Sequence, residues 1–313
     1  MNIEQFFTPY ECQNTLPGKK VVVLAPHPDD EVFGCGGTLS QMAAAGAEID
    51  IIIITDGVLR NEWPDLDSQL AEQKRQAKAE QRRQESIQAA EILGYPAPTF
   101  MGLQDGELLQ HVHLSDELGS RLAAMCPDLI LAPSIWEMHR DHRAVAQAAL
   151  SFLLQATDCC QLAFYEVGVP LIPNLMVDIS DNQNRKDQAM QCFGSQLEAQ
   201  AYADQIRGLN RFRSYTLGQQ VFSAEAFHLV ARMDASLFTA TYRPDHHTLA
   251  LMRAEQAMRS SGINQLEELK QALEESQQNM DAIKRTLSWR ITAPLRAIKS
   301  HWRKIWKWLS ETK

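Results

Sequence analysis

Short apolar runs spaced by helix-length segments constrain this chain more than any other feature. Lys20–Ala25 (KVVVLA), Glu48–Thr55 (EIDIIIIT) and Asp128–Ala132 (DLILA) are β-branched or aliphatic runs of strand length, the pattern of strands buried on both faces of a parallel sheet. Between and after them lie segments with helical character. These are Gly36–Ala45, a polar stretch from Asp67 to Leu93 ended by Gly94, Ser115–Met125 opened by a Ser cap, and Asp141–Gln155. Asp56-Gly57 stops the second strand, and Pro98–Met101, Gln161–Val167 and Leu175–Ile179 read as further strands. Helices near Asp181–Phe193 and Ser195–Arg213 come next. Strands alternating with helices predict an α/β fold, a Rossmann-like doubly wound and mostly parallel sheet. In such sheets ligands bind at the carboxyl ends of the strands.

By that rule the segments just past the first and third of these strands are where chemistry belongs. Pro26-His27-Pro28-Asp29-Asp30-Glu31 comes directly after Ala25, and His139-Arg140-Asp141-His142 lies beyond Asp128–Ala132 and opens a helix. Four ionisable groups in one short loop would be costly to bury without a compensating cation. His27 and Asp30 are three residues apart, so one turn can aim both at one ion, while Asp29 projects elsewhere and is free to act on water. Either histidine of the second cluster completes a two-His, one-carboxylate site with an open position. That ligand set suits catalytic zinc and equally Fe2+ or another divalent metal. Taken singly, each motif reads as a solvated loop; both at one sheet edge point to function. Gly34-Cys35-Gly36-Gly37 lacks dinucleotide-binding spacing and sits after an acidic loop, so tight strand-to-helix packing explains it better.

Several of these motifs occur together in one known family. PHPDDE after an apolar strand, then GCGGTL, Thr55-Asp56-Gly57, Arg82-Arg83-Gln84-Glu85, Ala89–Gly94, Gly102–Gly106 and the later HRDH resemble, in order over Val21–Leu150, the PIG-L/LmbE-like family of zinc-dependent N-acetyl sugar deacetylases. The resemblance implies that His27, Asp30 and His142 bind the metal and that Asp29 is the general base. It implies that His139 stabilises the oxyanion and protonates the leaving amine, with Asp141 orienting its neighbours. Arg82 and Asp105 would contact the sugar; Arg82 against Arg83 is a choice of register. A solvated helix face is the competing reading for Arg82, and His111, His113, His246 and His247 have no evident partner. His228, flanked by apolar residues, reads as structural.

Charge and patterning divide the chain. Nine of the 30 Lys/Arg but one of the 39 Asp/Glu fall within Lys284–Lys313, so a body of net charge -17 carries a tail of +8. The acidic body argues against nucleic-acid binding. Six cysteines without CxxC spacing fit reduced thiols, and neither a signal peptide nor a spanning run is evident, which together predict a cytoplasmic protein. The expected organisation is a catalytic domain over 1–250 and a helical extension over 251–313. In the extension, Leu266, Leu269, Leu273, Met280, Ile283 and Leu287 keep an approximate heptad. This is either a coiled-coil arm for self-association or a glycan-assembly partner, or a helix packed on its own domain. Ser288–Arg296 resembles a short segment of bacterial polysaccharide-assembly proteins. Beyond it a Trp-rich apolar stripe opposes Lys and Arg, which suits either the inner face of a membrane or docking on the acidic body. The expected substrate is an N-acetylglucosamine-type sugar in a glycan or lipid-linked glycan precursor. The rivals are an amidase acting on a sugar-thiol conjugate or another small amide, and a non-catalytic scaffold.

Overall fold

The computed structural model describes residues 8, 10–156 and 160–231. The expected coiled-coil arm, the basic terminal helix and the boundary near 250 lie outside the described residues. Within them, one eight-stranded sheet has the order β1-β7-β8-β6-β5-β2-β3-β4. The strands are β1 (Glu11–Gln13), β2 (Lys20–Ala25), β3 (Glu48–Leu59), β4 (Thr99–Asp105), β5 (Leu129–Pro133), β6 (Gln161–Tyr165), β7 (Leu175–Asp178) and β8 (Ala224–Ala231). All pairings are parallel except those of β8, which runs antiparallel to both β6 and β7.

The continuous apolar runs are explained by burial on both faces. Val22 and Leu24 of β2 and Ile130 and Ala132 of β5 enter one core, with Leu118, Leu122, Val145 and Leu153. Val21, Val23 and Ala25, with Leu129 and Leu131, enter the opposite core, with Leu39, Met42, Leu93 and Phe193. Each Val, Leu, Ile, Met or Phe side chain among them contributes about 1.5–3 kcal/mol on burial. The first core is closed by helices α3 (Leu114–Met125) and α4 (Arg140–Gln155). The second is closed by α1 (Asp30–Ala44), α2 (Ser68–Leu93), α5 (Gln183–Met190), α6 (Gly194–Leu197) and α7 (Tyr202–Arg213).

Several boundaries differ from expectation, each for a local reason. The first helix starts at Asp30 rather than Gly36, because two helical pieces join across a non-helical Cys35 (φ -141°); Asp30 and Glu31 therefore sit in a helical first turn, not a loop. Asp56-Gly57 does not end β3. Register shifts against β4 absorb it, with Gly57 at φ 69°. β4 runs on to Asp105, beyond the expected Met101. α3 opens at Leu114 without a side-chain cap, Asp116 and Glu117 supplying favourable charge to its first turn instead of Ser115 capping it. The stretch Ser195–Arg213 holds two helices, α6 and α7. The glycines of α1 behave as expected: a Cβ at Gly37 would meet Ile179 at 2.8 Å, and one at Gly34 would overlap Tyr165.

From β2 the chain moves outward through β3 to the edge strand β4, then returns to the other side of β2 as β5. The connections after β2 and β5 thus depart in opposite senses, leaving a crevice between their carboxyl ends, the usual place for a ligand in an open α/β sheet.

Candidate metal and catalytic site

The two acidic–histidine segments meet in that crevice. The His27 imidazole and the carboxylate of Asp30 are held within one turn: Asp30 Oδ2 accepts from the His27 amide at 2.8 Å and lies 3.1 Å from His27 Nδ1. His142, in the first turn of α4, brings Nε2 to 3.2 Å from both His27 Nδ1 and Asp30 Oδ2. The three donor atoms form a nearly equilateral triangle. Ligands on a tetrahedral zinc ion, with bonds of about 2.0–2.1 Å, stand about 3.3 Å apart, so these residues fit a small divalent cation with one side left open. Two imidazole nitrogens facing each other beside a carboxylate need a shared proton or a cation between them.

Other donors stand nearby. One nitrogen from each of His27, His139 and His142 lies within 4.8 Å of the others, and the same holds for donor atoms of His27, Asp105 and Asp141. The Asp30 triangle is tighter than either group needs to be, and its charge balance is better than that of three imidazoles. The far side of His27 is occupied: Nε2 is 3.0 Å from Asp105 Oδ1 and 3.7 Å from Asp141 Oδ2. Carboxylates on one ring nitrogen orient the other toward a metal. Burial pulls the pKa of His27 down, but contacts with Asp105, Asp141 and Asp30 carry it well above its ordinary value. Burial likewise pushes Asp30 up, and His142 and His27 reverse this, holding it well below the usual carboxylate range.

Asp29 lines the same cavity without joining the triangle. Its backbone has φ 143°, a conformation costing an L residue about 1–3 kcal/mol. Its carbonyl accepts from the amides of Val32 and Phe33, starting α1, while its carboxylate accepts from Arg82 Nη2 at 2.9 Å. Arg82, 5% exposed, also donates to the carbonyls of Pro28 and Gly57. Arg82 is therefore not on a solvated face, and it lines the cavity, whereas Arg83 lies over the Phe100 ring at 4.5 Å. Burial lifts the Asp29 pKa to about 7; Arg82 draws it down and Asp30 pushes it up.

His139 caps α4, its Nδ1 accepting from the Asp141 amide at 3.3 Å. That assigns the ring proton to Nε2. The ring keeps an exposed face, and desolvation of its inner side, then the neighbouring His27 and His142, lowers its pKa to about 4. Asp141 is fully buried, its carboxylate accepting from the amides of Gly106 at 2.6 Å and Leu108 at 3.1 Å, which ties α4 to the end of β4.

His27, Asp29, Asp30, Arg82, Asp105, His139 and His142 line one cavity of about 510 Å³, together with Phe33, Met138, Gly168 and Tyr202. Of the eight residues singled out from sequence, seven reach the cavity and Asp141 lies behind it. Arg82 and Asp105, expected to touch a sugar, direct their principal contacts to Asp29 and His27. Of the remaining histidines, His111 has a partner after all, Glu117 at 3.1 Å, and His228 pairs with the Ile172 carbonyl. Sequence reasoning missed Glu137, which is 2% exposed and has Oε2 at 3.7 Å from His142 Nδ1. An acid two residues before the HRDH cluster and just past a buried strand was the available signal.

Fold and site together define an α/β domain that gathers imidazoles and carboxylates at a topological switch point. Residues 22–153 match the family model described as PIG-L, GlcNAc-PI de-N-acetylase, and form a PIG-L family domain. The chain is 29% identical over 194 residues to a diacetylchitobiose deacetylase of Thermococcus kodakarensis, covering 57% of this chain and 70% of that protein. A shorter match, 44% over 45 residues, covers 14% of this chain and 16% of a 1D-myo-inositol 2-acetamido-2-deoxy-alpha-D-glucopyranoside deacetylase of Corynebacterium glutamicum. The fold resembles that of an N,N'-diacetylchitobiose deacetylase from Pyrococcus horikoshii, with TM-score 0.59 at 24% identity, over 69% of this chain and 85% of that one.

Proposed function

We propose that this protein is a divalent-metal-dependent N-deacetylase that hydrolyses the acetamide of an N-acetylglucosamine-type sugar, with zinc the metal it takes. The observation carrying this reading is the Asp30–His27–His142 triangle, with Asp29 and His139 lining the same cavity. The activities named for the relatives agree with it.

A divalent cation held by His27, Asp30 and His142 would supply Lewis acidity, polarising the amide carbonyl and acidifying water. The chain's own groups account for the rest. Asp29, ionised, takes a proton from the attacking water as the new C–O bond forms. Arg82 fixes the Asp29 carboxylate and favours its charged form. His139, neutral at pH 7 with its proton on Nε2, donates a hydrogen bond to the developing oxyanion. As the C–N bond breaks, the proton that Asp29 took from water passes to the leaving nitrogen while His139 Nε2–H holds the oxygen, releasing acetate and the free amino sugar. Asp105 and Asp141 hold His27, and Phe33 and Tyr202 give the cavity an apolar wall.

The Ser288–Arg296 resemblance supports a glycan or lipid-linked precursor of the cell envelope as substrate, handled at the inner membrane face. Among the described residues no helix is long and apolar enough to cross a membrane. The test is acetate release from free, disaccharide, lipid-linked and thiol-conjugated N-acetylhexosamines, with and without a chelator. Release abolished by the chelator and restored by zinc is expected. Metal-loaded protein releasing acetate from none of them would overturn the reading, and strong preference for the thiol conjugate would select the amidase alternative.

A further inference from the structure

Glu137 belongs to the connection between β5 and α4, and its backbone is held at both ends. Its amide donates to the Ser134 carbonyl at 3.2 Å and its carbonyl accepts from Arg143 Nη1 at 2.8 Å. The side chain is buried, yet it is well supplied with donors. Oε1 accepts from three successive amides, those of Val167 at 2.8 Å, Gly168 at 3.1 Å and Val169 at 3.3 Å, and Oε2 also receives the Gly168 amide at 3.1 Å. Consecutive amides converging on one oxygen make a concave anion cradle that stabilises a buried carboxylate in its charged form. Gly168 permits the approach, since a Cβ there would stand 3.1 Å from Oε2.

With Oε1 committed to this cradle, Oε2 faces His142 Nδ1 across 3.7 Å. That nitrogen is buried and has no hydrogen-bond partner, while Nε2 of the same ring is directed at Asp30 and His27. The gap exceeds hydrogen-bond reach, and a ring shift of under about 1 Å closes it. An anionic oxygen opposite Nδ1 selects the tautomer with the proton there and leaves Nε2 bare, the form that a ligand needs.

We infer that Glu137 is the positioning residue for His142, and that the same carboxylate locks the Val167–Gly168 wall of the cavity to that metal-ligating ring. The inference rests on the metal reading of the site. Because Val167 and Gly168 line the cavity along with His142, one side chain sets both the ligand's orientation and the wall's distance from it.

Glu137→Gln separates the two contacts. Its carbonyl oxygen still accepts from the three amides, with only the second Gly168 contact, to Oε2, given up, but its amide group turns N–H donors toward His142 and disfavours the Nδ1–H tautomer. Zinc affinity, measured by competition with a chromogenic chelator, should fall about 10–100-fold, while the thermal midpoint of the metal-free protein stays close to wild type. Zinc affinity within twofold of wild type in a folded variant overturns the inference alone. Failure of the wild-type protein to bind any divalent cation would remove the metal reading and the inference with it. If Glu137→Gln does not fold, the ¹⁵N spectrum of zinc-loaded wild-type protein decides. A hydrogen-bonded Nδ1–H and a ligating Nε2 on His142 are expected, and ligation through Nδ1 overturns the inference.

Discussion

Arg82 Nη2 donates to Asp29 Oδ2 across 2.9 Å, with the two side chains 6% and 10% exposed. The pair sets the working range of the proposed base. Burial raises the Asp29 pKa to about 7 in the metal-free protein, and Arg82 is the largest influence opposing that rise. A cation in the adjoining triangle would lower it further. Only ionised Asp29 accepts a proton, so kcat/KM should rise with pH through the Asp29 pKa and level off above it. Arg82→Met should move this acidic limb to higher pH, costing about tenfold at pH 6 for each unit of displacement and much less at pH 8.5. An unmoved limb would refute the pairing's role. Asp29→Asn should lose about 10²–10⁴-fold in kcat at every pH while keeping its metal, measured as bound zinc per chain.

His139 presents a different choice, because its ring is close enough to His27 and His142 to be a third nitrogen ligand. Its Nδ1 is taken by the Asp141 amide, and its depressed pKa of about 4 keeps it neutral at pH 7, a hydrogen-bond donor through Nε2. His139→Ala should therefore lower kcat about 10²–10³-fold, the usual cost of one oxyanion donor, and change zinc affinity only a few-fold. His142→Ala should instead lose stoichiometric zinc. If His139→Ala loses the metal as completely, His139 is a ligand and the oxyanion role fails.

How far these arrangements were legible depends on the range of the interactions behind them. β2 and β5 are readable because burial on both faces leaves an unbroken apolar run, and the segments after them because PHPDDE and HRDH concentrate charge at the carboxyl ends of those strands. β8 is not legible in the sequence: AEAFHLVA places Glu225 and His228 within the strand, and its partners β6 and β7 account for them. Asp56-Gly57 looks like a stop until the bulge against β4 is known. Arg82 looked like one more cation on a polar helix, since its burial depends on carbonyls of Pro28 and Gly57 far away in sequence. Glu137 lay in plain view, but its value comes from amides thirty residues on.

Glu31 is fully buried with neither carboxylate oxygen hydrogen-bonded, and burial raises its pKa from 4.5 to about 8. Between those values the folded chain holds a proton that the unfolded chain releases. The associated stability is fully present below about pH 4.5 and is lost as pH rises through 8. Glu31→Gln mimics the protonated form at every pH. Thermal midpoints of metal-free wild type and variant, compared from pH 5 to 8.5, should diverge, the variant gaining on the order of a few kcal/mol at the alkaline end. Parallel curves would show that Glu31 does not titrate in this range.

Lys186 and Glu225 form an ion pair with both side chains fully buried, Nζ to Oε1 at 2.6 Å. Neither charge is left short of partners. Lys186 also donates to the Phe33 carbonyl at 2.8 Å and to Asn210 Oδ1 at 3.0 Å, while Glu225 accepts from the amides of Gly37 at 2.9 Å and Thr38 at 2.8 Å. Those amides open the second piece of α1, just past the break at Cys35, and the Phe33 carbonyl closes the first. The pair therefore caps both sides of the break in the helix that carries Asp30. Glu225→Leu alone strands a buried ammonium group and Lys186→Met alone strands a carboxylate, so each should cost about 3–5 kcal/mol in denaturant unfolding. The double variant should cost less than either single one, since no buried charge remains, so the coupling energy in a double-mutant cycle should be at least about 3 kcal/mol. Zinc affinity should still fall in the double variant, because Gly37 and Thr38 lose their acceptor and the break no longer fixes Asp30. Recovery of both stability and metal affinity would show that the helix break holds itself.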